Sequence, residues 1–232
     1  MIRVIYSPQW FYGKDIVIDL VSVFVLLLIA FFSFKYYKIR KNKNYVYFGL
    51  SFILLSVSFL FKILTNFTIY FHVLETKNIG FLTLTYQTIK TSDVLFIVGF
   101  LIYRLLTLFG LYMLYSVYYD QPKTNILLIA YLILVSTYFT QSAYYIFHLT
   151  SLILLVLLTI QYSKTYIKNK NNATRMLASS FGIITASQIL SIFVSISTKF
   201  YVVAEIIQLI GYVILLFSFL TVLRHGKKKN KD

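Results

Sequence analysis

Cysteine is absent from this 232-residue chain, and proline and glycine are scarce, with two and eight residues respectively. A chain without cysteine has no disulfide, no thiolate nucleophile and no cysteine-based metal site. Proline and glycine are the residues that most often interrupt helices. Their scarcity therefore indicates that the long apolar segments are unbroken helices.

Charge is also in short supply, because only 12% of the residues are charged whereas 59% are apolar. Soluble domains carry charge on about a quarter of their residues. Predominantly apolar runs of 18 or more residues recur, and each is long enough to cross about 30 Å of hydrocarbon. The N-terminal segment lacks the short apolar core and cleavage site of a signal peptide, so we expect the first run to remain as a span. The composition predicts an all-α integral membrane protein.

The apolar runs predict an up-and-down bundle of seven transmembrane helices. The spans are expected at about 16–37, 46–70, 94–118, 125–141, 143–163, 175–197 and 200–223. They make residues 1–223 one transmembrane domain, followed by a basic tail at 224–232. Every connection except the second is short, so sequential helices are expected to pack as neighbours.

The basic residues are distributed unevenly over the connections. Of the 22 Lys and Arg residues, fifteen share the side of the tail and five lie on the opposite side. By the positive-inside rule, this excess predicts a cell-membrane protein with an extracellular N-terminus and a cytoplasmic C-terminus. We therefore interpret the net charge of +15 as a topology signal and expect no nucleic-acid partner. The tail RHGKKKNKD has the alternative interpretation of contact with anionic lipid or an acidic partner.

One of two cations inside apolar runs is Lys62, in the stretch SFLFKILTNF. Ser58, Thr65 and Asn66 share a helix face with it, and such a polar stripe in a membrane helix usually faces protein or a cavity. The long stem of lysine equally allows the ammonium to reach the outer headgroups. The sequence leaves both interpretations open.

The other cation is Arg104, in the stretch LIYRLLTLFG, close to the middle of the third span. Its neighbours one turn away, Phe100 and Leu108, are apolar. A mid-membrane arginine costs at least roughly 2.5–3.5 kcal/mol on insertion scales. It does not lose its proton. Arg104 is therefore predicted to require a carboxylate, backbone carbonyls or a water-filled cavity.

Three acids are placed to balance these cations. Glu205, one to two turns into the seventh span, is the preferred partner of Arg104 or Lys62, and Asp19, one turn into the first span, is the second choice. Asp93 is interpreted as the N-cap of the third helix, where a carboxylate is favourable.

The first, second, third and seventh helices can enclose one region, so these charges are expected to share it. A summed charge near zero is what a buried ionic network requires. The fifth and sixth helices can add His148 and Gln188. The predicted ligand-binding residues are Arg104, Lys62, Glu205, Asp19, His148, Asn66 and Gln208. A purely structural clamp that fixes helix register is the alternative.

Enzyme chemistry has little support in the sequence. The three histidines, His72, His148 and His225, lie in different segments and form no metal-ligand spacing. No serine–histidine–acid arrangement and no glycine-rich phosphate loop is visible. We therefore expect a non-enzymatic protein without metal or cofactor.

The sixth span repeats small residues every four positions, at Ala178, Gly182 and Ala186. This pattern lets two helices approach closely, so it predicts tight packing of this helix against a neighbour. Its hydroxyl residues are expected to bond to neighbouring helices.

Seven helices, an outer N-terminus, short connections and a polar site in the outer half resemble the plan of heptahelical receptors and microbial rhodopsins. The seventh span, FYVVAEIIQLIGYVILLFSFLTVL, lacks the lysine that holds retinal in rhodopsins, so covalent retinal binding is not expected. The first two spans, WFYGKDIVIDLVSVFVLLLIAFFSFKYYKI and YVYFGLSFILLSVSFLFKILTNFTIYF, are similar to small uncharacterised seven-helix proteins of archaea. That resemblance implies the fold and no activity.

The leading hypothesis is a receptor-like protein that binds a small polar or anionic ligand, or a partner helix, at the buried site. A chain of this length is expected to need a separate membrane partner for signalling. A proton-coupled or small-solute transporter is the first alternative, although no internal repeat supports it. A structural subunit of a membrane complex is the second.

Overall fold

The computed structural model describes residues 7–70, 74–79, 82–87, 89–117, 123–139 and 144–228. The described chain contains seven α-helices, two 3₁₀ helices at Gln9–Phe11 and Phe193–Ser195, and one β-hairpin. The helices are α1 (Lys14–Arg40), α2 (Asn44–Tyr70), α3 (Ile89–Ser116), α4 (Lys123–Phe139), α5 (Tyr144–Asn169), α6 (Asn172–Ile192) and α7 (Lys199–Lys228).

Six of the helices are long and apolar enough to cross a membrane, namely α1, α2, α3, α5, α6 and α7. The fourth helix also forms where the sequence predicts it, but it has only 17 residues. Its described apolar segment is Ile129–Phe139, which is shorter than the other six. The architecture is that of a multi-pass helical membrane protein.

Helix ends are set by local backbone chemistry. Gly13 precedes α1 with φ 80°, a left-handed conformation that glycine adopts without steric cost. Lys41 ends α1 in the same region, and its N–H donates to the carbonyl of Tyr37 at 2.7 Å. Asn171 caps α6 because its side-chain oxygen accepts from the N–H of Ala173 at 3.1 Å.

Six helices form a closed ring, and α4 lies outside it. The most extensive contacts join α1 to α2, α2 to α3, α5 to α6 and α6 to α7, while α1–α7 and α3–α5 contacts complete the ring. The smaller α4 touches α3 and α5 only slightly, and Leu127, Tyr131 and Tyr138 on it are more than three-fifths exposed. Sequential helices are thus in contact along the whole bundle, as predicted, but α3 also packs directly on α5, which leaves α4 at the periphery.

The distribution of polarity is reversed relative to a soluble protein. Large apolar side chains on the outer faces are exposed, such as Val17, Phe24 and Phe31 along α1. The interior combines an aromatic and aliphatic core with many buried polar groups. Soluble domains rarely expose contiguous apolar faces of this kind. Lipid is the solvent that matches the outer surface.

Close helix approach occurs at glycines other than the one predicted. A Cβ on Gly211 of α7 would lie 2.5 Å from Cγ1 of Ile184 on α6 and 3.3 Å from the carbonyl oxygen of Ser180. At Gly182 the nearest atom would be 3.7 Å away, and Ala186 is exposed. The sixth helix packs tightly on its neighbours as predicted, but its closest approach is to Gly211 of α7 and does not involve the Ala178–Gly182–Ala186 repeat.

The hydroxyl groups of α6 bond mostly to their own helix. Ser180, Ser187 and Ser191 donate to carbonyls three or four residues earlier. Thr185 also reaches across to Thr159 of α5 at 3.2 Å. The prediction of bonds between helices thus holds at Thr185.

The long second connection contains a hairpin of β1 (Leu74–Ile79) and β2 (Leu82–Gln87), which pair antiparallel. The third helix begins at Ile89, so Asp93 lies within the helix and is not its N-cap. The prediction about Asp93 placed the start of the helix too late. His72, the side chain of His225 and tail residues 229–232 lie outside the described part of the chain.

Candidate functional site

Three charged side chains from three helices meet in the interior at the end where α1 begins. The ammonium of Lys62 on α2 donates to Oδ1 of Asp19 on α1 at 2.8 Å and to Oε1 of Glu205 on α7 at 2.6 Å. Asp19 is fully buried, and Lys62 and Glu205 are each 8% exposed. We call these three residues the charged layer. Lys62 therefore points into the protein interior. This agrees with the interpretation that its polar stripe faces protein, and not with the one in which its ammonium reaches the headgroups.

The energetics of the charged layer depend on all three members. Removing charges from water costs several kcal/mol per ion, and mutual attraction repays the cost only when geometry and hydrogen bonding are good. Two short charge-assisted bonds to Lys62 supply that geometry. The ring of Phe59, one turn before Lys62 on α2, adds a cation–π contact at 5.4 Å.

A second polar layer lies one helical turn toward the N-terminal end. Oδ2 of Asp15 on α1 accepts from the amide of Asn66 on α2 and from the hydroxyl of Tyr201 on α7, each at 3.4 Å. We call Asp15, Asn66 and Tyr201 the upper layer. Phe11, in the 3₁₀ helix before α1, packs edge-on against Tyr201. The upper layer and the charged layer together form the polar column, and the buried ring of Phe11 lies beside the upper-layer end of it.

The two layers follow from spacing in the sequence. Asp15 and Asp19, Asn66 and Lys62, and Tyr201 and Glu205 are each four residues apart, so each pair shares a helix face. From the upper layer to the charged layer, residue numbers increase along α1 and α7 and decrease along α2. This order requires α2 to run antiparallel to both.

A chain of polar side chains extends from α7 to α6 and α5. Nδ1 of His148 lies 2.8 Å from Oε1 of Gln188, the amide of Gln188 donates to Gln208 at 3.4 Å, and that of Gln208 donates to the Tyr212 hydroxyl at 3.2 Å. We call these four residues the amide chain. An amide oxygen only accepts, so Nδ1 of His148 carries a proton. Gln208 lies three residues after Glu205, so α7 carries both the charged layer and the amide chain.

Arg104 is 1% exposed and is surrounded by aromatic rings. Its guanidinium carbon lies 3.5 Å from the ring centroid of Phe100, 5.1 Å from that of Phe147 and 5.3 Å from that of Tyr144. Guanidinium groups are attracted to the faces of aromatic rings. Tyr144 in turn packs against His148, with 4.5 Å between ring centroids. Arg104 is therefore positioned beside the α5 end of the amide chain.

The seven predicted site residues thus separate into connected groups. Three of them, Asp19, Lys62 and Glu205, form the charged layer, and Asn66 belongs to the upper layer. Gln208 and His148 belong to the amide chain. Arg104 lies among the rings of α3 and α5, whereas its preferred predicted partner, Glu205, bonds to Lys62.

Sequence reasoning did not identify Tyr201 and Phe11 as part of the site. Tyr201 had a signal, since it precedes Glu205 by one turn of the same helix. Phe11 had none, because it lies before the first helix and nothing in the sequence directs it to α7. The cation–π role of Phe100 was also missed, because an aromatic residue one turn from Arg104 was counted only as apolar.

No protein-family model, curated protein or solved structure matches the chain. The resemblances to heptahelical receptors, rhodopsins and archaeal proteins accordingly stay predictions. Function has to be argued from the site, since a fold hosts many functions. The arrangement offers paired carboxylates, an ammonium and neutral hydrogen-bonding groups in an apolar surrounding.

Proposed function

We propose that this chain is a non-enzymatic membrane protein that binds a small polar ligand at the charged layer and acts as a receptor or sensor. The observation that supports the proposal is the position of Lys62, buried between carboxylates of two other helices. Ionisable groups inside a membrane protein are costly and usually mark a binding or transport site. Lys62, Asp19 and Glu205 are the proposed ligand contacts, with Asn66 and Gln208 as orienting groups.

The amide chain is the proposed route from the site to the rest of the molecule. Glu205 and Gln208 occupy adjacent turns of α7, and Gln208 connects through Gln188 to His148. A ligand that changes the position of Glu205 would rotate or shift this segment of α7. Such a shift would reach α5, α6 and the aromatic surroundings of Arg104. A separate membrane partner would then carry the signal.

We further propose that α4 is the seventh span and that the N-terminus is extracellular. The excess of basic residues on the opposite side supports this orientation. The absence of cysteine allows a clean test. On intact cells, a membrane-impermeant maleimide should label Trp10→Cys and not Asn42→Cys, and the reverse pattern would refute the orientation.

A proton-coupled transporter is the second candidate. Tyr201, Glu205, Gln208 and Tyr212 place polar groups on successive turns of α7, and such a stripe can carry protons or a solute along a helix. Flux of protons or solute in vesicles of purified protein would favour this function over the receptor.

The proposed binding function is tested by thermal unfolding of the purified full chain in detergent. The compounds are n-butylammonium chloride, sodium butyrate and glycine, each compared with sodium chloride at equal ionic strength. We expect at least one compound to raise the unfolding temperature of the wild type, because a ligand that binds only the folded state stabilises it. The shift should be lost in Glu205→Gln.

Ser218→Ala is the matched control, because Ser218 is buried on the same helix more than three turns beyond Glu205, and in the described contacts its hydroxyl donates to the Ile214 carbonyl. It should retain the wild-type shift. If no compound shifts the wild type, or if Glu205→Gln responds as the wild type does, the charged layer is not the binding site.

A further inference from the structure

We infer that the bundle consists of two equivalent three-helix units that separate at one side, where the salt bridge between Lys62 and Glu205 acts as a latch. The first unit is α1–α2–α3, the second is α5–α6–α7, and α4 connects them. The inference goes beyond the proposed binding function and does not depend on it. No internal repeat was expected from the sequence, because the matching residues are few and lie mainly on buried faces.

The turn between the first two helices is the same in both units. Lys41 after α1 and Lys170 after α5 have left-handed backbones, with φ 52° and 46°. The N–H of each donates to a tyrosine carbonyl four residues earlier at 2.7 Å. The next residue, Asn42 or Asn171, accepts through Oδ1 from the backbone N–H two residues later. This common turn aligns Lys41 with Lys170 and sets the residue-by-residue correspondence of the two helix pairs.

The buried faces follow the same correspondence. Six of the seven buried residues of α5 and seven of the eight buried residues of α6 correspond to buried residues of α1 and α2. The segment SFILLSVS at 51–58 aligns with SFGIITAS at 180–187, and the two share Ser, Phe and Ser at equal spacing. The first two helices of each unit therefore present the same faces to the interior.

The third helices correspond through their glycines. A Cβ on Gly110 of α3 would lie 3.3 Å from the carbonyl oxygen of Ser51 on α2. A Cβ on Gly211 of α7 would likewise lie 3.3 Å from the carbonyl oxygen of Ser180 on α6. Ser51 and Ser180 are themselves corresponding residues. Each glycine therefore marks the same close approach of the second and third helices.

The two units meet at two seams, α1 with α7 and α3 with α5, where contacts are less extensive than within each unit. Glu205 on α7 corresponds to Arg104 on α3, because each lies six residues before its glycine. Asp19 on α1 corresponds to His148 on α5 in the alignment set by the common turn. Equivalent positions thus carry acids at one seam and basic residues at the other, so the two seams are held together differently.

The α3–α5 seam is closed by aromatic contacts and by α4. Phe147 on α5 lies 5.5 Å from the ring of Tyr103 and 5.1 Å from the guanidinium carbon of Arg104, both on α3. The fourth helix packs on both α3 and α5, and the hydroxyls of Ser136 on α4 and Thr150 on α5 lie 2.7 Å apart. A helix packed on both sides of a seam restrains its opening, so this seam is the expected hinge.

The α1–α7 seam is closed by polar contacts between the units. Lys62 of the first unit donates to Glu205 of the second at 2.6 Å. The Tyr201 hydroxyl donates to Asp15 across the same seam at 3.4 Å. The bond of Lys62 to Asp19, by contrast, lies within the first unit. Charge-assisted bonds are roughly twice as strong as neutral ones, so loss of the Lys62–Glu205 bond should let this side open about the hinge.

The test measures distances between spin labels in the purified full chain, which has no native cysteine. Leu64→Cys with Val203→Cys reports the distance between the units, and Tyr145→Cys with Val203→Cys reports the distance within the second unit. All three residues are exposed on the outer surface. In double electron–electron resonance, Glu205→Gln should add a population at longer distances between the units and leave the distance within the second unit unchanged.

Asp19→Asn is the matched control, because it also removes a carboxylate charge from Lys62 but weakens the bond inside the first unit. It should keep the wild-type distance between the units. The neutral variant Asp19→Asn/Lys62→Met/Glu205→Gln gives a second readout, since it lacks the latch and leaves none of these charges buried without its partner. It should also show the longer distances. A wild-type distance between the units in Glu205→Gln or in the neutral variant, an equal change in Asp19→Asn, or a changed distance within the second unit would refute the inference.

Discussion

At the scale of the residue, the stability of the interior depends on the two carboxylates that balance the charge of Lys62. A lysine on an apolar helix is tolerated here because two carboxylates reach its ammonium at 2.6 and 2.8 Å. Each carboxylate depends on the lysine in the same way. The three residues therefore form a unit in which the loss of one member leaves the other charges buried.

This dependence makes Lys62→Met a sensitive variant. We expect it to lower the free energy of unfolding by about 3–5 kcal/mol, the usual cost of breaking a buried pair from one side. Lys199→Met is the control, because Lys199 is exposed at the start of α7 and such surface changes fall within about 0.5 kcal/mol. Chemical or thermal unfolding of the two purified variants gives the comparison, and similar stabilities would show that the charged layer contributes little.

The sequence identified charged members of the site better than uncharged ones. Lys62, Asp19 and Glu205 were predicted because a charge in an apolar run demands an explanation. Both acids were named as candidate partners of Arg104 or Lys62, but their joint pairing with Lys62 was not predictable, since it depends on how three helices are rotated. The aromatic surroundings of Arg104 were not predicted, because the residues that contact it look like ordinary core residues in a sequence.

At the scale of the element, helices were predictable and their neighbours were only partly so. Apolar runs identified all seven helices, because length and hydrophobicity are local properties. The hairpin in the second connection was missed, although LTLTYQ at Leu82–Gln87 alternates apolar and polar residues as a strand does. The peripheral position of α4 depends on contacts between α3 and α5, which no local feature of the sequence encodes.

The two glycines of the α5–α6–α7 region provide a test of helix packing. Gly211→Ala should be less stable than Gly182→Ala by about 1–3 kcal/mol, the typical cost of overpacking. The reason is that the new Cβ would meet Ile184 at 2.5 Å in the first case and Thr159 at 3.7 Å in the second. Both changes gain similar helix propensity, so the difference in unfolding temperature isolates the packing effect. Equal stabilities would contradict the close approach of α6 and α7 at Gly211.

At the scale of the whole molecule, the fold is an apolar ring of six long helices with a polar column at one end. Composition alone predicted the membrane class, because the fraction of charged residues is about half of that in soluble domains and the apolar fraction is high. The column follows from turn-spaced polar residues on α1, α2 and α7. Its use for binding, and not only for holding three helices together, is the central claim.

The most direct test of that claim is thermal unfolding of the neutral variant Asp19→Asn/Lys62→Met/Glu205→Gln beside Lys62→Met and the wild type. The three proteins are compared with and without the compounds that stabilise the wild type. We predict that the neutral variant is more stable than Lys62→Met, because it buries no unpaired charge. We also predict that it responds to none of the compounds. A neutral variant that keeps the wild-type response, or a wild type that shows no response while the neutral variant regains stability, would contradict the account and leave the charged layer as a structural clamp.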